Sequence, residues 1–210
     1  MICGIDEAGR GPLAGPVCAA AALGPGFPAG CLGDSKKLSR KAREYACALI
    51  REQAAAWGIG WASHEEIDRI NILNASLLAM QRAFDGFLAR LGVAGEPAGA
   101  WGCLPLTVIV DGLYTPQVGF PCRALVRADC SVPEVMAASI LAKTARDDKM
   151  RAYALSYPEY GYEKHKGYPT AEHRKLLALY GPSPIQRRSF KIKPAGDSQL
   201  SLGIEAGGGR

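Results

Sequence analysis

Asp6 and Glu7 stand side by side after an apolar run, Met1 to Ile5, and Asp111 ends a second one, Leu106 to Val110. Asp129 lies past a third candidate strand, Arg123 to Ala128. Taken singly, an acid after a strand is a turn former or a helix cap. If these strands are parallel neighbours, the four carboxylates instead emerge at one sheet edge, where open α/β sheets place their ligands. Four such acids repel one another unless a cation neutralises them. Oxygen donors without Cys or His select Mg²⁺ or Mn²⁺, and paired ions of this kind support phosphoryl chemistry, one activating water and the other stabilising a leaving oxygen.

Further residues carry weaker signals. Gly9 and Gly11 lack Cβ atoms, so the backbone around Arg10 can approach a nucleic acid and present amides and carbonyls to a 2′-hydroxyl. An ordinary tight turn is the competing reading. A dinucleotide site is excluded, because the Gly9 to Gly15 spacing is wrong and two carboxylates ahead of it repel a pyrophosphate. Tyr168 sits in the most basic stretch, Glu163 to Lys193, where eight Lys and Arg face two Glu although the whole chain carries only +5. That field suits a polyanion, and an aromatic ring within it can stack on a sugar or base. Ser139 and Lys143, four apart, share a helix face and join Lys36 and Lys37 as candidate phosphate contacts. His165 and His173 have no role as ligands to a hard metal.

The remaining residues must build the scaffold. With 210 residues, 48% of them hydrophobic, the chain can bury a core, and its apolar runs fall short of the roughly 18 residues of a membrane span. The N-terminus lacks the order of a secretory signal, and seven cysteines without a C-x-x-C pair point to buried, reduced thiols. A soluble cytoplasmic protein is expected. The pattern predicts strands over 1–5, 16–23, 57–62, 106–110 and 123–128. Helices are predicted from the Ser39 cap to about Ala55, from the Ser63-x-x-Glu66 capping box through the Leu73 to Leu91 stripe, from Pro133 toward Met150, and over Ala171 to Tyr180. Helix-connected strands define an α/β fold with a mixed sheet. From Pro194 onward the composition is that of a disordered tail.

The stretch Gly4-Ile5-Asp6-Glu7-Ala8-Gly9-Arg10-Gly11-Pro12-Leu13-Ala14-Gly15-Pro16-Val17 resembles the opening signature of ribonuclease HII, a type 2 ribonuclease H. Asp34 to Ser39, Asn71-Ile72-Leu73, Val110-Asp111-Gly112, Ala137 to Lys143 with Arg146-Asp147, Lys166 to Thr170 and His173 extend the resemblance to Phe190. It implies a ribonuclease H-like mixed sheet flanked by helices with a C-terminal helical extension, over 1–190, followed by a tail over 191–210. It also implies that Asp6, Glu7, Asp111 and Asp129 are catalytic metal ligands for Mg²⁺ or Mn²⁺. The implied substrates are RNA–DNA hybrids and ribonucleotide-containing duplex DNA, cut to leave 5′-phosphate and 3′-hydroxyl ends. The loop Gly9-Arg10-Gly11 is implied to recognise the ribonucleotide, and Tyr168 to contact the deoxyribose after it. The absence of an accessory domain before Asp6 argues against the related ribonuclease HIII, and a silent nucleic-acid-binding module is the rival of another class. Ala128, Cys130 and Gln186 depart from the family pattern. Gln199-Leu200-Ser201-Leu202-Gly203 is similar to sliding-clamp docking peptides, with Gly203 in place of the aromatic, and a monomer is expected.

Overall fold

The computed structural model describes residues 1–24, 27, 32, 38–93 and 105–191. Lys36, Lys37, the 25–26, 28–31 and 33–37 stretches, the 94–104 linker and the tail with Gln199 to Gly203 lie outside the described residues.

Ile2–Ala8 forms β1, and the alanine-rich Val17–Leu23 returns antiparallel beside it as β2. Helix α1, Arg40–Gln53, starts at Ser39, whose hydroxyl accepts from the Ala42 amide, and leads to the edge strand β3, Ala56–Ala62. The helix α2, His64–Leu91, opens with the expected reciprocal capping box of Ser63 and Glu66 and closes on left-handed Gly92. It then crosses the sheet to β4, Thr107–Asp111, which pairs parallel with β1, and β5, Cys122–Leu125, pairs parallel with β4. The order is β3-β2-β1-β4-β5. Helices α3 (Pro133–Ser156), α4 (Tyr162–His165) and α5 (Ala171–Tyr180) follow, the last capped by Thr170.

Strand side chains alternate between faces. Cys3, Ile5, Val108 and Val110 therefore meet α2 through Met80, Phe84 and Phe87, while Cys18, Ala20 and Ala22 of β2 meet α1 and α3 on the other face. The alanines of β2 let helices approach both faces closely. A third cluster joins Leu13 and Met150 to Tyr160, Tyr162, Leu177 and Ile185 and anchors the C-terminal helices. Among the described residues no helix is long and apolar enough to cross a membrane.

Three expectations change. β1 does not end at Ile5 but runs to Ala8, because β2 continues to pair with it through Asp6↔Ala20 and Ala8↔Cys18. The strand expected over 123–128 ends at Leu125. Its ladder with β4 stops at Asp111, and Arg127 at φ 60° cannot continue a strand, so Ala128–Cys130 forms a 3-10 turn. The helix α2 is broken at Asn71, with φ 65° and ψ 167°, and the Asn71 side chain accepts from the Asn74 amide at 3.1 Å as the cap of the second segment. Of the described cysteines, Cys3, Cys18 and Cys47 are buried free thiols, whereas Cys122 is half-buried and Cys130 exposed.

Candidate active site

Ile5 lies opposite Val110 in the parallel β1–β4 ladder, and both point into the core beneath α2. The next residue of each strand must turn to the α3 face, which brings Asp6 beside Asp111. Asp129 reaches the same place from the 3-10 turn, where its amide donates to Asp111 Oδ1 at 3.4 Å. One carboxylate oxygen from each of Asp6, Asp111 and Asp129 lies within 4.8 Å of the other two. Burial, then the charges of Glu7 and Asp111, hold the Asp6 carboxyl well above the usual carboxylate range. Hydrogen bonds from the Ser139 hydroxyl and the Glu7 amide, the latter at 2.7 Å, oppose that rise.

The fourth acid stands apart. Among the described residues Glu7 is outside the three-carboxylate cluster, yet it lines the neighbouring groove with Ser139 and its charge acts on Asp6. Its Oε1 lies 3.4 Å from Arg10 Nη1, and its buried Oε2 has no hydrogen-bond partner among the described residues. Burial raises the Glu7 carboxyl, Arg10 lowers it, and Asp111 adds to the rise.

Beside the acids opens a groove of 390 Å³ lined by Glu7, Ala8, Arg10, Gly11, Ser139, Lys143 and Tyr168. A Cβ placed on Gly11 would lie 3.7 Å from the Tyr168 ring, so the two loops face each other across it. Ser139 is buried and turned to Asp6. The ammonium of Lys143 sits 2.8 Å from Asp147 and 5.7 Å from the Tyr168 ring, and Asp147 also takes Arg43 at 3.2 Å.

Two side chains of the site were not singled out by spacing. Arg187, counted above as part of a basic field, is fully buried. It donates to the carbonyls of Gly9 at 2.6 Å, Arg10 at 3.0 Å and Gly15 at 2.8 Å. Burial pushes its pKa down to about 9, which leaves it charged at neutral pH. Arg146 donates to Pro16 at 3.1 Å, Ala14 at 3.3 Å and Lys166 at 3.2 Å, tying the Gly9 to Pro16 segment to the loop that carries Tyr168. Gly9 belongs to this packing, since at φ 102° its Cβ would meet Arg146 Nε at 2.0 Å. Arg146 lies within one of the motifs that carry the resemblance, and the fold shows what it binds. Gln186 bridges to Ala14 and is buried, with neither amide atom hydrogen-bonded among the described residues.

His165 and His173 stack with ring centroids 4.3 Å apart and belong to no group of metal-type donors among the described residues. Burial pushes His173 down to about 4 and lowers His165 as well. A histidine whose folded pKa is depressed favours folding fully above its unfolded value near 6.5 and loses that contribution as pH falls toward 4. Acidification from pH 7 to 4 should therefore cost roughly 3 kcal/mol through His173. In His173→Asn, unfolding free energy measured against pH should lose that part of the slope. Parallel curves for the two proteins would contradict it.

The chain resembles solved ribonucleases of types HII and HIII. The chain matches the PCNA:RNase HII complex from Archaeoglobus fulgidus with TM-score 0.65 and 24% identity, over 90% of this chain and 92% of that one. It also matches Bst-RNase HIII in complex with Mn²⁺ with TM-score 0.57 and 18% identity, over 85% and 69%. The fold, with carboxylates gathered at the β1–β4 edge, is that of a type 2 ribonuclease H. The family model for ribonuclease HII matches residues 3–193. A ribonuclease HII from Treponema denticola is 53% identical over 197 residues, 92% of this chain and 99% of that protein. The chain belongs to the ribonuclease HII family, and it is an enzyme of that ribonuclease H class.

Proposed function

We propose that this chain is a divalent-metal-dependent endoribonuclease that cuts RNA–DNA hybrids and single ribonucleotides embedded in duplex DNA, leaving 5′-phosphate and 3′-hydroxyl ends. The observation that carries the reading is the convergence of Asp6, Asp111 and Asp129 within 4.8 Å beside a groove lined by Arg10, Gly11 and Tyr168.

The residues fit a hard cation. All donors are carboxylate oxygens, Asp6 is buried against like charges, and Glu7 holds one buried oxygen without a hydrogen-bond partner among the described residues. Asp6, Asp111, Asp129 and Glu7 would hold Mg²⁺ or Mn²⁺. The chemistry such cations supply when bound is polarisation of a phosphoryl oxygen and activation of water. The chain supplies position. Arg187 draws the Gly9 and Arg10 carbonyls inward and so sets the path of the Gly9-Arg10-Gly11 backbone past the groove, where a 2′-hydroxyl is to be recognised. Tyr168, 38% exposed on the opposite wall, offers a face to the sugar that follows the ribonucleotide. Lys143, half-buried on the same wall, and Lys36 and Lys37, outside the described residues, are the proposed phosphate contacts with Ser139.

The test is cleavage of duplex DNA containing one ribonucleotide, with the cut mapped at nucleotide resolution. A single incision at the ribonucleotide, dependent on Mg²⁺ or Mn²⁺, is expected. No metal-dependent cut would leave the silent binding module as the better reading. In the same assay Tyr168→Ala should lose on the order of 1 to 3 kcal/mol of transition-state binding, about 5- to 150-fold, on the single-ribonucleotide substrate. Uniform hybrid should be affected less. Equal losses on both would assign Tyr168 to packing or general affinity.

The solved Archaeoglobus complex with PCNA supports a sliding-clamp contact, proposed here for Gln199 to Gly203. Binding of the full chain to its cognate clamp, compared with a Leu200→Ala, Leu202→Ala version, decides it. Action in the cytoplasm as a monomer completes the reading.

A further inference from the structure

The Tyr168 ring is carried by a short loop with an unfavourable backbone. Lys166 and Gly167 both have positive φ, 52° and 82°, and a Cβ on Gly167 would lie 2.7 Å from the Ala14 carbonyl oxygen. Such a conformation persists only where its surroundings over-determine it. Here every backbone polar group from Lys166 to Tyr168 has a partner. The Lys166 amide donates to the Tyr162 carbonyl at 3.0 Å, and the Lys166 carbonyl accepts from Arg146. The Gly167 carbonyl accepts from the Leu13 amide at 2.8 Å.

The remaining three groups meet the two histidines. The Gly167 amide donates to His165 Nδ1 at 3.1 Å, and the Tyr168 amide donates to the His165 carbonyl at 2.9 Å. The Tyr168 carbonyl accepts from His173 Nδ1 at 3.0 Å, alongside the Thr170 amide at 2.8 Å. A carbonyl oxygen only accepts, so His173 carries its proton on Nδ1. By the same rule His165 carries its proton on Nε2, which faces the Tyr160 carbonyl at 2.8 Å, and this leaves Nδ1 as the acceptor that Gly167 needs. The rings stack almost parallel, 17° apart, and the Tyr162 ring closes on both edge-on. The Tyr162 hydroxyl hydrogen-bonds Ser183, at the start of the segment that delivers Arg187 to the Gly9 and Arg10 carbonyls. The two loops that wall the groove are thus referenced to one rigid cluster.

We propose that His165 and His173 are positioning residues for substrate selection, locked as opposite neutral tautomers so that together they fix the Tyr168 ring over the groove. The proposal rests on the reading of Tyr168 given above.

The test compares kcat/KM on a single-ribonucleotide duplex with that on a uniform hybrid, for Tyr168→Ala, His173→Leu, His173→Asn and the Tyr168→Ala, His173→Leu pair. The amide nitrogen of Asn replaces the Nδ1 donor, whereas Leu keeps bulk and removes it. The ratio should fall about fivefold or more in His173→Leu, return to within about twofold of wild type in His173→Asn, and fall no further when His173→Leu is added to Tyr168→Ala. A His173→Leu protein with the wild-type ratio, while Tyr168→Ala loses it, overturns the positioning role alone. Asn and Leu variants that lose activity equally on both substrates overturn it as well. An unchanged ratio in Tyr168→Ala instead overturns the reading of Tyr168 on which the proposal stands. If His173→Leu does not fold, ¹⁵N NMR of the wild-type rings decides, with one Nδ1–H and one Nε2–H neutral tautomer expected. Averaged tautomers in either ring overturn the lock.

Discussion

Asp111→Asn should lower Mg²⁺- or Mn²⁺-dependent cleavage by about a thousandfold or more while the protein remains folded. The substitution keeps the shape of the side chain and removes one anion from a site whose three carboxylates lie within 4.8 Å. A cation held there gains several kcal/mol from each carboxylate, and a loss of that size in the transition state corresponds to about three powers of ten. Asp6→Asn should behave alike. In metal-free buffer at neutral pH both variants should melt at a higher temperature than wild type. Asp6 is buried against the charges of Glu7 and Asp111, and its raised pKa means that ionisation works against the folded state. The checks are cleavage with purified variants across a metal titration and thermal unfolding in a chelator. Near wild-type cleavage by either variant would remove these acids from the active centre.

Arg187→Met should be the most damaging change outside the acids, with a stability loss on the order of 2 to 4 kcal/mol and activity reduced about a hundredfold. The guanidinium is fully buried and holds three carbonyls, those of Gly9, Arg10 and Gly15, none of which Met can satisfy. Removing the charge relieves its desolvation, but the abandoned acceptors retain their own. Activity falls because these carbonyls fix the backbone proposed to face the ribonucleotide. Arg187→Lys should lie between, since an ammonium reaches fewer of the acceptors without the planar fork. Denaturant unfolding and cleavage of the single-ribonucleotide duplex measure both effects. A Met variant with wild-type stability and rate would show that the Gly9-Arg10 backbone needs no such support.

Much of the scaffold is legible because its signals are local. Ser39, Ser63 with Glu66, and Thr170 cap helices through bonds to amides three residues away, so the residues that define the cap lie within one turn of chain. The apolar stripe of α2 and the β-branched run of β4 show their burial in the same direct way. The break at Asn71 was hidden inside a helical pattern. One residue at positive φ leaves the apolar spacing on both sides intact, and its only mark is an asparagine, a type that also occurs within helices.

What the sequence by itself determined is the inventory of the site: four acids, a Gly-Arg-Gly turn and an aromatic in a basic loop. The tertiary structure decided which of them meet. The parallel register of Ile5 with Val110 selects Asp6 and Asp111 for one face, and Glu7 lines the groove beside their cluster. It also decided that Arg146, Arg187, His165 and His173 serve the groove from behind. Arg146 and Arg187 bind carbonyls up to 178 residues away in the chain, and the histidines grip the backbone of the loop beside them. Every residue carries a carbonyl and nearly every one an amide, so a side chain that recognises backbone has no partner type for a sequence to display, and only the folded path of the chain supplies it.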